Sequence, residues 1–217
     1  MNHGYAPMVN LVGHVAVALA PDAPPESTDF LVGCMLPDLA AIARVRLVRP
    51  DGELGRGVEF HHACDAVFHE SEWFRTANRE LRDELLGAGV DTGPARACSH
   101  AGVEMLLDGA LVERPEVHHA ASRAFAAVEA QADVLAALAP RESRAVAALR
   151  FRRIATSLDP TRYRDARFVA ERLHAMTAGR RRIELPAAHV DRVADALHDA
   201  QPRVAAAAPS VLAAVRG

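Results

Sequence analysis

The sequence predicts a single all-α domain, a bundle of roughly seven to nine helices spanning residues 1–217. Three observations carry that expectation. Apolar residues recur at spacings of three and four rather than two, so no segment has the alternation of a half-buried strand. Half of the residues are hydrophobic but only 5% are aromatic, and the excess is alanine, accompanied by Leu, Arg and Glu, all strong helix formers. No repeat at a solenoid period appears, and 217 residues suffice for one sizeable core.

The elements follow in chain order. Residues 9–20 read as a buried helix closed by Pro21, with a Pro-rich loop through Pro25. Ser27 or Thr28 caps a helix running through Phe30 to Leu36, which Pro37 breaks or kinks, so that Asp38 follows the break. Pro50 to Gly57 reads as a turn-rich loop, Val58 to Leu86 as one long helix, and Asp91-Thr92-Gly93-Pro94 as the cap of a helix over 94–112. Four amphipathic stretches follow at 116–139, 142–157, 160–178 and 186–200, then a short Ala-rich helix after Pro202. The first half carries the chemistry, within residues 9–112, and residues 116–217 support it.

Composition narrows the function. A net charge of −3 with eleven neutral histidines gives no global attraction for nucleic acid or an anionic membrane. The apolar stretch from Met8 to Ala20 is too short to span a bilayer and is interrupted by His14, so a cytoplasmic protein with no transmembrane segment is expected. Cys34, Cys64 and Cys98 form no C-x-x-C pair, which fits reduced thiols used for packing.

The chemistry resides in two stripes. His61, Asp65 and His69 lie four apart, as do His100, Glu104 and Asp108, and a helix brings each triple to one face. Imidazoles and carboxylates on apolar faces are costly to bury unless something compensates their desolvation, and a divalent ion does so. His14 and Asp38 lie upstream on equally apolar segments. The candidate metal ligands are therefore His14, Asp38, His61, Asp65, His69, His100 and Glu104, enough for one or two ions. Asp38, His62 and Asp108 are candidates for proton handling, phosphate contact or orientation of a ligand. Mixed imidazole and carboxylate donors without thiolate suit Zn, Mn or Fe. A hydrogen-bonded core network is the competing account of the same residues. His118, His119, His174, His189 and His198 lack this patterning and read as ordinary histidines.

Asn10-Leu-Val-Gly-His14, Gly33-Cys-Met-Leu-Pro-Asp38, Gly57 and His61-x-x-x-Asp65-x-x-x-His69 together resemble the acyl carrier protein phosphodiesterases, small helical proteins related to the HD-domain metallohydrolases. The resemblance covers roughly residues 9–112 and rests on the order of short motifs. It implies an HD-like bundle and metal-dependent hydrolysis of the phosphodiester joining 4′-phosphopantetheine to an acyl or peptidyl carrier protein. It further implies manganese, with Asp38, His61 and Asp65, then His14, as ligands. His69 and His100-x-x-x-Glu104 stand where that family is more acidic, and they are similar to zinc-dependent phospholipase C. A di-iron HD-type oxygenase and a non-catalytic scaffold are the readings from other classes. Arg150, Arg152, Arg153, Arg162, Arg164, Arg167 and Arg180 to Arg182 form basic clusters, readable either as a carrier-protein or phosphate contact or as a solvated face.

Overall fold

Ten α-helices and three 3-10 turns make up the regular structure of residues 11–19 and 27–216, the part of the chain described by the computed structural model. The helices are α1 (Leu11–Ala18), α2 (Thr28–Ala43), α3 (Gly52–Glu70), α4 (Glu72–Gly87), α5 (Thr92–Leu111), α6 (Pro115–Ala130), α7 (Ala132–Ala136), α8 (Arg144–Ser157), α9 (Ala166–Thr177) and α10 (Val190–Arg216). No strand occurs among the described residues, so the fold is the all-α single domain expected. No described helix is long and apolar enough to cross a membrane.

The apolar, Ala-rich α5 is buried on nearly every side and forms the centre, against which α1, α4, α9 and α10 pack. The equally apolar α2 lies in a second group with α1, α3, α6 and α8. Leu31, Leu36 and Leu39 of α2 are essentially inaccessible, and burying each such side chain contributes roughly 1.5–3 kcal/mol. The amphipathic α4 shows the alternative pattern, with Phe74, Leu81 and Leu85 inward and its charges outward.

Two glycines set the closest approach. Gly33 of α2 faces Gly57 of α3, and a Cβ built on Gly57 would sit 2.2 Å from the Phe30 carbonyl oxygen. Only hydrogen at both positions lets these backbones touch.

Several boundaries differ from expectation. Ten helices replace seven to nine because Ser71 and Gln131 each divide a segment expected to be continuous. Ser71 takes an extended backbone, ends α3 and caps α4 by accepting from the Phe74 amide at 3.2 Å. Pro37 does not break α2, which continues to Ala43, so Asp38 sits inside a helix. The burial of apolar residues on both sides of the proline outweighs one missing ladder bond. The glycine-rich segment after Pro50 is the first turns of α3 rather than a loop: Gly52 takes a positive φ at its start, and Gly55 and Gly57 serve close packing. Likewise α10 runs through Pro202 and Pro209 to Arg216 instead of ending near residue 200. Ser27 does cap α2, its hydroxyl accepting from the Phe30 amide at 3.1 Å.

Candidate metal centre

The stripe on α3 divides between two clusters. Eight residues of helix span about 12 Å, so His61 and His69 cannot serve one ion from the same helix face. His61 meets His14 of α1 and Asp38 of α2, and the ligand atoms of these three lie within 4.8 Å of one another. His69 meets His100 and Glu104 of α5 within the same limit. Asp65 lies between, with Oδ1 2.9 Å from His69 Nε2, and its charge is felt at His14 and His61.

The first cluster is deep: His14, Asp38 and His61 are each 3–4% exposed. His14 Nε2 stands 3.9 Å from Asp38 Oδ2, too far for a hydrogen bond. One ion with bonds of about 2.0–2.2 Å could reach both. The His14 Nε2 is buried and makes no hydrogen bond, a costly condition that an ion would relieve. His61 donates from Nδ1 to the Cys34 carbonyl at 2.9 Å. A carbonyl only accepts, so the proton is on Nδ1 and Nε2 is left with its lone pair, as a ligand requires. Pro37 has no amide to offer the Gly33 carbonyl, one residue before this acceptor. Burial lowers the affinity of both imidazoles for protons; at His14 the neighbouring His61 adds to the effect, while at His61 the Cys34 bond opposes it. Both rings are held neutral, the ligating form.

The second cluster is half-open. Glu104 is fully buried, whereas the His69 and His100 side chains are 19% and 18% exposed. Glu104 Oε1 lies 3.5 Å from His69 Nε2 and 3.3 Å from His100 Nε2. The two imidazoles stack with centroids 4.9 Å apart, and the Phe74 ring meets both edge-on at 4.6 and 5.0 Å. Ser71 thus acts at a distance, since its cap fixes the turn that carries Phe74. Burial disfavours the charged form of His69, but the adjacent Asp65 carboxylate and Glu104 overcome it and raise its proton affinity. Asp65 is correspondingly held below the usual carboxylate range: burial pushes it up, and the His69 bond and the nearby imidazoles pull it further down.

Two expected participants fall elsewhere. Asp108 is fully buried and turns to α1, accepting from Gly13 N at 2.7 Å and Val12 N at 3.1 Å. Burial raises its carboxyl well above the usual range, while the amides of Val12, Gly13 and Leu11 pull the other way. His62 is exposed on α3, edge-on to His61 at 5.2 Å, and joins neither cluster. Asn10 lies outside the described residues. Cys64 and Cys98 are buried free thiols. The later histidines join no cluster among the described residues; His174 bonds the Leu185 carbonyl at 2.7 Å.

Much of the arginine-rich second half is engaged structurally. Arg164 pairs with Glu113 at 2.7 Å, Arg167 with Glu171 and Asp191, and Arg152 with Asp133. Arg150 donates to the Ala43 carbonyl at the end of α2. Sequence reasoning missed the Cys34 carbonyl, Phe74 and Ser71; of these only Ser71, a serine before a helical run, carries a sequence signal.

No protein-family model, curated protein or solved structure matches this chain.

Proposed function

We propose that the chain is a metal-dependent phosphodiester hydrolase with an HD-like centre of two ions. The observation that supports this most is the pairing of a deep His14/Asp38/His61 cluster with a half-open His69/His100/Glu104 cluster, joined by Asp65. The donors are nitrogen and oxygen throughout, which fits Zn, Mn or Fe. The motif order of the first hundred residues, similar to acyl carrier protein phosphodiesterases, supports the same reaction class.

When bound, the ions would lower the pKa of a coordinated water toward neutrality and offset charge developing on the phosphoryl oxygens. The protein's own residues supply the rest. His14, Asp38 and His61 hold one position with neutral rings fixed by burial and by the Cys34 carbonyl. His69, His100 and Glu104 hold the other, the position nearer solvent because its two imidazoles are partly exposed. Asp65 is ionised and faces both clusters, so it can orient a donor or accept a proton at Oδ2. His62, exposed beside His61, is placed to contact a substrate phosphate from the flank.

The test begins with elemental analysis of protein purified without chelator or affinity metal, wild type beside Asp65→Ala and His198→Ala. The expected result is one or two equivalents of Mn, Zn or Fe in wild type and His198→Ala, and a loss in Asp65→Ala. Hydrolysis of bis(p-nitrophenyl) phosphate should follow the metal content. A 4′-phosphopantetheinyl carrier protein is the first natural substrate to assay, with a phosphatidylcholine vesicle beside it to separate the phospholipase reading. Bound iron with visible absorption and no hydrolysis would instead favour the oxygenase, and no metal after reconstitution would leave a structural polar network.

A further inference from the structure

Helix α1 contributes His14, and its eight described residues are too few for stability from their own backbone bonds. Its placement must come from tertiary contacts, and polar side chains hold it at both ends. Towards its N-terminal side the Val12 and Gly13 amides donate to the Asp108 carboxyl. At the other end Arg216, from the last turn of α10, donates to the carbonyls of α1's own last turn. It reaches Ala16 O at 2.6 Å and Val17 O at 3.2 Å, and bonds Leu19 O as well. The Arg216 cation at the C-terminal end also complements the helix dipole. Val211, Leu212 and Val215 of α10 line a small cavity together with Gly13, His14 and Val17 of α1.

We infer that Arg216 is a positioning residue for the metal centre: with Asp108 it clamps α1 along its axis and thereby holds His14 against Asp38 and His61. The inference rests on the metal-binding reading proposed above. Arg216 touches no cluster residue and acts only through the helix. A guanidinium suits the task because its planar fork reaches several carbonyls at once, which an ammonium reproduces only in part.

The experiment is a Co²⁺ titration followed by visible absorption, together with hydrogen exchange of the α1 amides, on the full chain as wild type, Arg216→Gln, Arg216→Lys and His14→Ala. Arg216→Gln should weaken Co²⁺ binding roughly 10- to 100-fold, the usual cost of losing a residue that orients a ligand. It should shift the absorption in the direction of His14→Ala and speed exchange within α1. Arg216→Lys, which keeps the cation, should recover part of each effect and guards against a variant that merely folds poorly. Wild-type Co²⁺ affinity and spectrum in Arg216→Gln would overturn the inference while leaving the metal reading intact. No Co²⁺ uptake by the wild type would remove the metal reading, and the inference with it. Unchanged α1 exchange in Arg216→Gln would refute the clamp independently of any metal.

Discussion

Gly33 and Gly57 lock α2 onto α3 so closely that a Cβ on Gly57 would lie 2.7 Å from the Gly33 Cα. This contact lies four residues before His61 and one before Cys34, so it sets the hydrogen bond that fixes the His61 tautomer. Gly57→Ala must push the two backbones apart, since every atom it meets is main chain. Overpacking of this kind costs about 1–3 kcal/mol or more. The melting temperature should drop by several degrees, at about 2–4 °C per kcal/mol for a chain of this size. Thermal denaturation followed by circular dichroism checks it, and an unshifted midpoint would show that the helices tolerate separation.

The Asp65–His69 pair predicts a pH signature in chelator-treated protein. His69 binds its proton more tightly folded than at its ordinary value of 6.5. Its contribution is therefore fully present below that value and is lost as pH rises through the folded value. Asp65 is held below its ordinary 3.8, so its contribution is present above that value and is lost as pH falls through the folded one. Wild type should thus exceed Asp65→Asn in melting temperature most between about pH 4 and 6.5, with the gap closing on either side. Melts of both proteins across pH 3–9 decide the matter, and a gap that widens above neutrality would contradict it.

Chelation should remove two ions at different rates. The His69/His100/Glu104 cluster reaches solvent through two partly exposed imidazoles, whereas His14, Asp38 and His61 are buried. Release into a chromogenic chelator is expected to be biphasic, and His69→Ala should abolish the faster phase alone. A single phase in the wild type, with two ions released, would speak against separate environments.

Two of the thiols are predicted to be inert. Burial pushes Cys64 up to about 11, with Asp65 adding to it, and Cys98 up to about 12. The thiolate is the reactive form, so neither should react with Ellman's reagent at pH 8 until the protein is unfolded. Prompt labelling of Cys98 in the native state, located by peptide mapping, would show that α5 opens far more readily than its packing allows.

The sequence made some of this legible and hid the rest, for identifiable reasons. Spacing of four on α3 and α5 is a property of one helix at a time, so both stripes could be read without tertiary information. Their division into two clusters could not, because it depends on which neighbour faces each turn. Pro37 and the glycines before Val58 read as breakers because local propensity was the only visible term; burial and the Gly33–Gly57 contact reversed it. The Cys34 carbonyl has no side-chain signature at all. Asp108 stood out as a polar residue on an apolar face, but its partners are backbone amides of a helix ninety-five residues earlier.

The Arg216 clamp also orders events during synthesis. Ala16 and Arg216 are two hundred positions apart, so a ribosome releases α1 long before the residue that grips its far end. A nascent chain can already assemble Asp38 with His61 and His69 with His100, yet α1 gains its second anchor only when α10 is seated. His14, the earliest candidate ligand to be made, thus rides on a helix that can pack on α2, α5 and α6 first and receives its last anchor only with Arg216.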